Sequence, residues 1–284
     1  MRSLGLLAVI AVASVAPPAA VSSGSVEIAA LQVTLRSRAL YHGPVTGHAG
    51  PRTEAAVEVL QRRLGVSVDG VFGKETLARL YPYGRPVLGA RLLSVGSKGY
   101  DVALLRVQLA FHGFPSGRFS SAFTARTARA VIRFQRFAGV PATGIAGPLT
   151  ARALLAPPQA SPIRLAWPVP TWITSGFGLR GARFHAGVDF AATLGQPVTA
   201  PGSGRVVYAG WRDGGWGNAV MIAHGKGVRS LVAHLSRVDA HVGDTVRVGE
   251  AVGLAGTTGE SSGPHVHLEV RVRAAYVDPM TALG

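Results

Sequence analysis

The side chains able to do chemistry gather in the C-terminal part of the chain, in three histidine-bearing segments next to turn residues: His185-Ala186-Gly187-Val188-Asp189, His234-Leu235 and Pro264-His265-Val266-His267. Cysteine is absent from all 284 residues, which excludes thiol nucleophiles, disulfides, cysteine-ligated zinc and a lipidated cysteine anchor. A metal ion must therefore be held by His, Asp or Glu. On a strand, residues i and i+2 share a face, so His265 and His267 are expected to point into one cavity. Two adjacent imidazoles repel when both are protonated, and a cation beside them relieves this, neutral imidazole being a common zinc ligand. His185 and Asp189 add a nitrogen and an oxygen. A set of two histidines and one aspartate leaves the fourth tetrahedral position to water, which is the arrangement of a catalytic rather than a structural site. Glu269, two residues beyond His267, faces the same side and is placed for a hydrogen bond to an imidazole. His224 ends another apolar segment, reads as a residue closing a turn, and is left out of the expected site.

Around these histidines stand Phe177-Gly178-Leu179-Arg180, Gly195-Gln196-Pro197-Val198-Thr199-Ala200, Gly204-Arg205-Val206-Val207-Tyr208-Ala209-Gly210 and Trp216-Gly217-Asn218. They are followed by Gly256-Thr257-Thr258-Gly259, Ser262-Gly263-Pro264-His265-Val266-His267-Leu268-Glu269 and Asp278-Pro279. In this order the segments resemble the lysostaphin/LytM-type zinc endopeptidases of bacterial cell walls, over about 110 residues from Trp167 to Met280. The resemblance implies a peptidoglycan hydrolase with Zn2+ bound by His185, Asp189 and His267, and with His234 and His265 as catalytic residues beside the open position. One departure stands out: Val232 occupies the place where the family usually has tyrosine, and a phenol lining the groove is expected to be lost.

The elements that must position these residues follow from the β-branched segments separated by glycine: Pro197–Ala200, Gly204–Ala209, Asn218–His224, Ser230–His234, Thr245–Val248, Ala251–Ala255 and His265–Val272. They predict an antiparallel β-sheet domain over residues 167–284. Ala156–Pro162 has the composition of a semi-rigid linker, which is taken to run over 156–166. Ahead of it, Val26–Leu80 and Tyr100–Leu154 align without a gap at an offset of 74, with 17 identities in 55 positions. The internal repeat predicts two modules, at 24–84 and 95–155, each of three short helices. Thr53 and Thr76 are expected to cap the second and third helices, and the apolar periodic positions to form the cores. The repeats resemble the three-helix peptidoglycan-binding domain found beside wall-degrading enzymes, whose "DG.FG..T" turn is matched by Asp69-Gly70-Val71-Phe72-Gly73-Lys74-Glu75-Thr76. The second copy lacks the aspartate and the phenylalanine and has Arg106 in place of Gln32, so its ligand contact is expected to be weaker. The fold class is thus multidomain α + β: two tandem three-helix modules followed by a zinc peptidase domain built on an antiparallel sheet.

Charge divides the chain in the same way. Residues 1–162 carry 18 basic and 6 acidic side chains, and residues 163–284 carry 11 and 8, giving +12 and +3. A basic front half suits a polyanionic wall, while the low aromatic content of 7% and the lack of a nucleic-acid motif leave no nucleic-acid partner expected. The opening Met1-Arg2 and the apolar run Leu4–Ala16 read as a secretory signal peptide over 1–23, too short for a membrane span, with small residues Ala19, Ala20, Ser22 and Ser23 near the cleavage point. The expected partner is peptidoglycan and the expected location extracytoplasmic. The rival reading is a non-catalytic wall-binding or hydrolase-activator protein on the same fold, against which the five intact site positions argue.

Overall fold

A computed structural model describes residues 25–81 and 87–284, so the expected signal peptide and the end of the first module lie outside the described residues. The chain separates into two compact units. One holds the described residues up to Pro157 together with Leu179–Phe184, the other Pro158–Gly178 with His185–Gly284.

The first unit contains α1 (Val26–Ser37), α2 (Pro51–Leu64), α3 (Lys74–Leu80), α4 (Tyr100–Phe111), α5 (Ala125–Ala138) and α6 (Pro148–Ala153), three per repeat as expected. The Ser25 hydroxyl opens α1 by accepting from the Glu27 and Ile28 N–H groups, Pro51 stands at the first turn of α2, and Gly65 ends α2 in the left-handed region. Thr53 and Thr76 do not cap. They lie inside the first turns of α2 and α3, buried, and use their hydroxyls to accept from Gln32 Nε2 (3.2 Å) and Gln61 Nε2 (3.1 Å). A glutamine buried in an apolar core must find partners for both ends of its amide, and a threonine one turn into the next helix supplies one.

Gln61 is the centre of the "DG.FG..T" turn. Its Oε1 accepts from the Asp69 and Gly70 N–H groups, and its Nε2 donates to Asp69 Oδ1 (2.6 Å), the Val71 carbonyl and Thr76. Gln135 repeats the pattern with the Gly144 N–H, the Ile145 carbonyl and Thr150. Asp69 is exposed but ties its Oδ1 to Gln61 and to the Val71 N–H, and Phe72 is buried in the core of the first repeat with Leu31, Leu35, Tyr41, Val57 and Leu60. Phe72 thus belongs to the scaffold, while Asp69 both braces the turn and stays open to solvent. Thr143 takes over from Asp69, accepting from the Ile145 N–H at 3.2 Å, and the Ala146 backbone pairs with Leu93 where the first repeat has Phe72. Arg106, in place of Gln32, is buried and donates to Ser116, Ser120 and the carbonyls of Arg118 and Ala122. Thr127, freed from a glutamine, joins Thr124 in a capping box at the start of α5.

Leu179–Phe184 belong to this unit through two contacts at equivalent repeat positions. The Val45 N–H donates to the Gly181 carbonyl at 2.9 Å and the Phe119 N–H to the Ala182 carbonyl at 2.7 Å, while the Phe184 ring meets Phe111 edge-on.

The second unit is built on a ten-stranded sheet. Its strands are β1 (Ile173–Ser175), β4 (Val188–Ala191), β5 (Pro197–Thr199), β6 (Gly204–Arg212), β7 (Gly217–Gly225), β8 (Val228–Val238), β9 (Thr245–Val246), β10 (Ala251–Ala255), β11 (His265–Val272) and β12 (Ala275–Val277); β2 (Gly178–Arg180) and β3 (Arg183–His185) form a separate pair. The long path runs β1-β4-β11-β8-β7-β6-β9, with antiparallel neighbours. Alternation sorts the side chains. Val188, Phe190, Val220, Ile222, Val232, Val266, Leu268 and Val270 pack into one core, and the opposite face carries Asp189, His267 and Glu269 beside a small apolar floor of Ala219, Met221, Leu231 and Ala233. All seven strands read from the sequence are present; β1 to β4 and β12, each three or four residues long, were not foreseen. No helix among the described residues is long and apolar enough to cross a membrane.

Candidate metal centre

The central pairing of β4 with β11 sets Asp189 directly opposite His267, and the residue spacing on β11 puts His265 and His267 on the same face. Asp189 Oδ1 lies 2.7 Å from His267 Nδ1, 3.1 Å from His185 Nε2 and 3.9 Å from His265 Nε2. His185 Nε2 and His267 Nδ1 are 3.1 Å apart. These three buried residues are the only group of the kind among the described residues.

The donor set fits a metal ion. A tetrahedral zinc site with bonds of about 2.0–2.1 Å separates its ligand atoms by roughly 3.3 Å, close to the edges of this triangle. Each imidazole also has its other nitrogen engaged. His185 Nδ1 donates to the Gly176 carbonyl at 2.7 Å, which leaves Nε2 to face the centre, and His267 Nε2 lies 3.5 Å from Glu269 Oε1, which leaves Nδ1. Gly187 makes the packing possible: a Cβ there would stand 2.5 Å from the Leu268 carbonyl oxygen and 2.6 Å from His267 Cε1. The glycine between His185 and Asp189 is thus demanded by the ring that shares their centre.

Burial disfavours the Asp189 carboxylate, but the hydrogen bonds and charges of His185 and His267 outweigh it and hold the carboxyl well below the usual range. Burial likewise pushes His267 down, and the two carboxylates of Asp189 and Glu269 more than reverse this, raising it to about 9. Glu269 is buried, which raises it, yet His267 and Arg271 keep it ionised.

The flanking histidines complete the cluster. His234 lies with its ring centroid 4.6 Å from His265 and 5.8 Å from His267. Its Nδ1 donates to the Thr258 carbonyl at 2.8 Å, and His265 Nδ1 donates to the Gly263 carbonyl at 2.9 Å. A carbonyl can only accept, so in both rings Nε2 carries the free lone pair in the neutral form. Burial pushes His234 down to about 4, against the Thr258 carbonyl, so that ring is neutral near pH 7.

His234 reaches the site by a β-bulge. Opposite Ala219, β8 spends two residues, Ala233 and His234, and His234 adopts φ +63 with its N–H donating to the Trp216 carbonyl at 3.0 Å. Strict alternation would send His234 to the same side as Val232. The bulge sends it to the metal side while Val232 stays in the hydrophobic core, so position 232 does not line the groove and the expected effect of the missing phenol is corrected. His224 is elsewhere: its ring bridges the Ser203 carbonyl and Ser230 Oγ. Trp216 was missed as a site residue. Its indole N–H donates to Glu269 Oε1 at 2.8 Å, and the only signal for it was an aromatic residue ahead of Gly217-Asn218.

Comparison with known proteins bears on the domains. Residues 183–279 match the model of peptidase family M23, and residues 24–80 and 98–154 match that of a putative peptidoglycan binding domain. The DD-carboxypeptidase/endopeptidase Mpg of Neisseria meningitidis serogroup B is 45% identical over 119 residues, 40% of this chain and 27% of the relative. Lysostaphin of Staphylococcus simulans is 40% identical over 111 residues, 37% of this chain and 22% of the relative. The solved catalytic domain of lysostaphin from the same species is 35% identical, covering 39% of this chain and 90% of that one at a TM-score of 0.38. The chain thus spans about a quarter of the length of the curated relatives it matches. Residues 183–279 thus carry a peptidase family M23 domain, behind two repeats of the peptidoglycan-binding type.

Proposed function

We propose that this chain is a secreted zinc endopeptidase that hydrolyses peptide bonds in the stem peptides or cross-bridges of peptidoglycan, held at the wall by its two repeats. The observation that carries the reading is the convergence of five side chains: His185, Asp189 and His267 as metal ligands, with His234 and His265 beside them. A zinc ion held by the first three supplies Lewis-acid polarisation of a scissile carbonyl and acidifies a water.

The protein's own residues do the rest. Gly176 and Glu269 fix the ring orientations of the two ligating histidines, so the centre is set before substrate arrives. His234, neutral near pH 7, offers its Nε2 lone pair as proton acceptor. His265, also tied at Nδ1, presents Nε2 on the same side, where its protonated form would donate to an oxyanion or to the leaving amine. The names of the relatives, a DD-carboxypeptidase/endopeptidase and lysostaphin, favour a wall peptide as substrate. Two weakly binding repeats on one chain raise the local concentration of the peptidase at an immobile polymer, and the excess of basic residues in the front half adds attraction to an anionic wall. Metal analysis of the purified chain and mass spectrometry of fragments released from peptidoglycan test the reading together. Stoichiometric zinc with new peptide termini is expected, and a chain that takes up zinc yet releases no fragment would overturn the hydrolase assignment.

A further inference from the structure

Trp216 makes two contacts that meet at the metal centre from different directions. Through its side chain, the indole Nε1–H donates to Glu269 Oε1 at 2.8 Å, and Glu269 is the buried carboxylate behind His267 Nε2. Through its main chain, the Trp216 carbonyl accepts the His234 N–H at 3.0 Å, at the bulge whose left-handed backbone turns His234 toward the site. The indole is held in turn. It packs on the floor formed by Ala219, Met221, Leu231 and Ala233, and the Arg212 guanidinium stacks over it at 4.9 Å. On the far side Glu269 Oε2 accepts from Arg271, whose guanidinium also reaches the Tyr276 hydroxyl. Glu269 thus accepts a defined donor on each oxygen, which leaves its carboxylate plane little freedom to turn away from His267.

We propose that Trp216 is a positioning residue of this centre: through Glu269 it sets the orientation of the ligand His267, and through its carbonyl it sets the backbone of His234, so the 212–217 segment keeps a metal ligand and a flanking histidine in register. Outer partners of metal-ligating histidines commonly carry a factor of 10–100 in metal affinity. The indole acts one step further out, and its N–H should carry about tenfold of that range. The inference rests on the zinc reading above.

The test uses the full chain and zinc itself, with affinity measured by competition against a chromophoric chelator. W216F keeps an aromatic ring on the floor and the backbone carbonyl but removes the N–H donor. It should bind zinc about tenfold more weakly, and kcat on a peptide substrate should fall while KM stays within about twofold. E269A should weaken zinc by a factor of 10–100. In the E269A background, adding W216F should change zinc affinity by less than about twofold, because the carboxylate through which the indole acts is gone. W211F, at an exposed tryptophan whose indole bonds only Asp213, should match the wild type. If W216F fails to fold, benzothienylalanine at position 216, which replaces the N–H by sulfur in the same shape, makes the same comparison. A folded W216F chain with wild-type zinc affinity, or W216F and E269A effects that multiply, would overturn the inference. A wild-type chain that takes up no zinc would instead overturn the reading on which it rests.

Discussion

Removing Asp189 is the sharpest test of the proposed centre, because its Oδ1 lies within 3.1 Å of His185 Nε2 and His267 Nδ1 and is the only anionic member of the set. Apparent binding free energies of protein zinc sites run to about 10–16 kcal/mol. Shared among three protein ligands, loss of one should cost roughly 3–5 kcal/mol, or about a thousandfold in affinity. Zinc at one hundred times the wild-type Kd stabilises the folded chain by about 2.7 kcal/mol, and at the same concentration the Asp189→Ala chain would gain less than about 0.1 kcal/mol. For a unit of this size about 1 kcal/mol corresponds to roughly 3–5 °C, so the zinc-dependent rise in melting temperature should be about 8–14 °C in the wild type and under about 1 °C in the variant. Differential scanning fluorimetry at matched zinc activity, after chelator treatment, reads this directly. His185→Ala and His267→Ala should behave as Asp189→Ala does, whereas His234→Ala should keep the full rise. An undiminished rise in Asp189→Ala would refute the assignment of that carboxylate to the metal.

His234→Ala and His265→Ala should retain near-normal zinc and lose at least about a hundredfold in peptidoglycan cleavage, the scale of general acid–base help; metal loss in either would make that residue a ligand. In the first unit, burial pushes the His112 imidazole below its ordinary range, with Nε2 against the Leu154 carbonyl at 3.1 Å opposing it. The unfolded chain then takes up a proton near pH 6.5 that the folded chain refuses, so the contribution is fully present above about pH 6.5 and is lost as pH falls toward the lower folded value, by at most about 1.4 kcal/mol per pH unit. Equilibrium unfolding between pH 7.5 and 5 should show a shallower acid slope in His112→Gln, and equal slopes would remove this cause. Asp69→Ala deletes an acceptor for Gln61 and for the Val71 N–H and should cost about 1–2 kcal/mol, whereas Asp69→Thr, which copies the second repeat, should cost less than half as much in denaturant titration.

The convergence of these side chains was legible because they are of chemically rare types on short segments, and a period of two on β11 needs no tertiary knowledge to align His265 with His267. What the sequence could not convey was backbone geometry. The position of His234 depends on one extra residue in β8 and a left-handed φ, and alternation alone misassigns both it and Val232. Trp216 escaped for a related reason: its partner Glu269 is 53 positions away, and a tryptophan beside glycine reads as a loop residue until the fold closes. The strands β1 to β4 were equally silent, being too short to show a period, although β3 and β4 carry two of the three proposed ligands.

The repeats make a complementary point about what a shared pattern marks. Their identical positions are dominated by residues that hold the fold: Gln61 and Gln135 at the turn, Thr76 and Thr150 as their acceptors, and Gly70 and Gly144 at φ +72 and +76. Where the copies differ inside, the difference is compensated locally. Gln32 spans the 46–48 loop and Thr53, while Arg106, longer and with five N–H groups, reaches six oxygens of the 116–122 loop and releases Thr127 to cap its own helix. A buried cation held by neutral oxygens tolerates no shorter replacement, because each oxygen left unpaired costs desolvation without return. The two modules are therefore equally built, and any difference in wall affinity between them must come from their exposed positions. There the second repeat presents Leu149 and Thr143 where the first has the charged Glu75 and Asp69, and exposes Ile145 where the first has the half-buried Val71. Exchanging Glu75→Leu in the first repeat and Leu149→Glu in the second should shift co-sedimentation with peptidoglycan while leaving the unfolding midpoint within about 0.5 kcal/mol of the parent. Unchanged co-sedimentation in both would place the ligand surface of the repeats on another face.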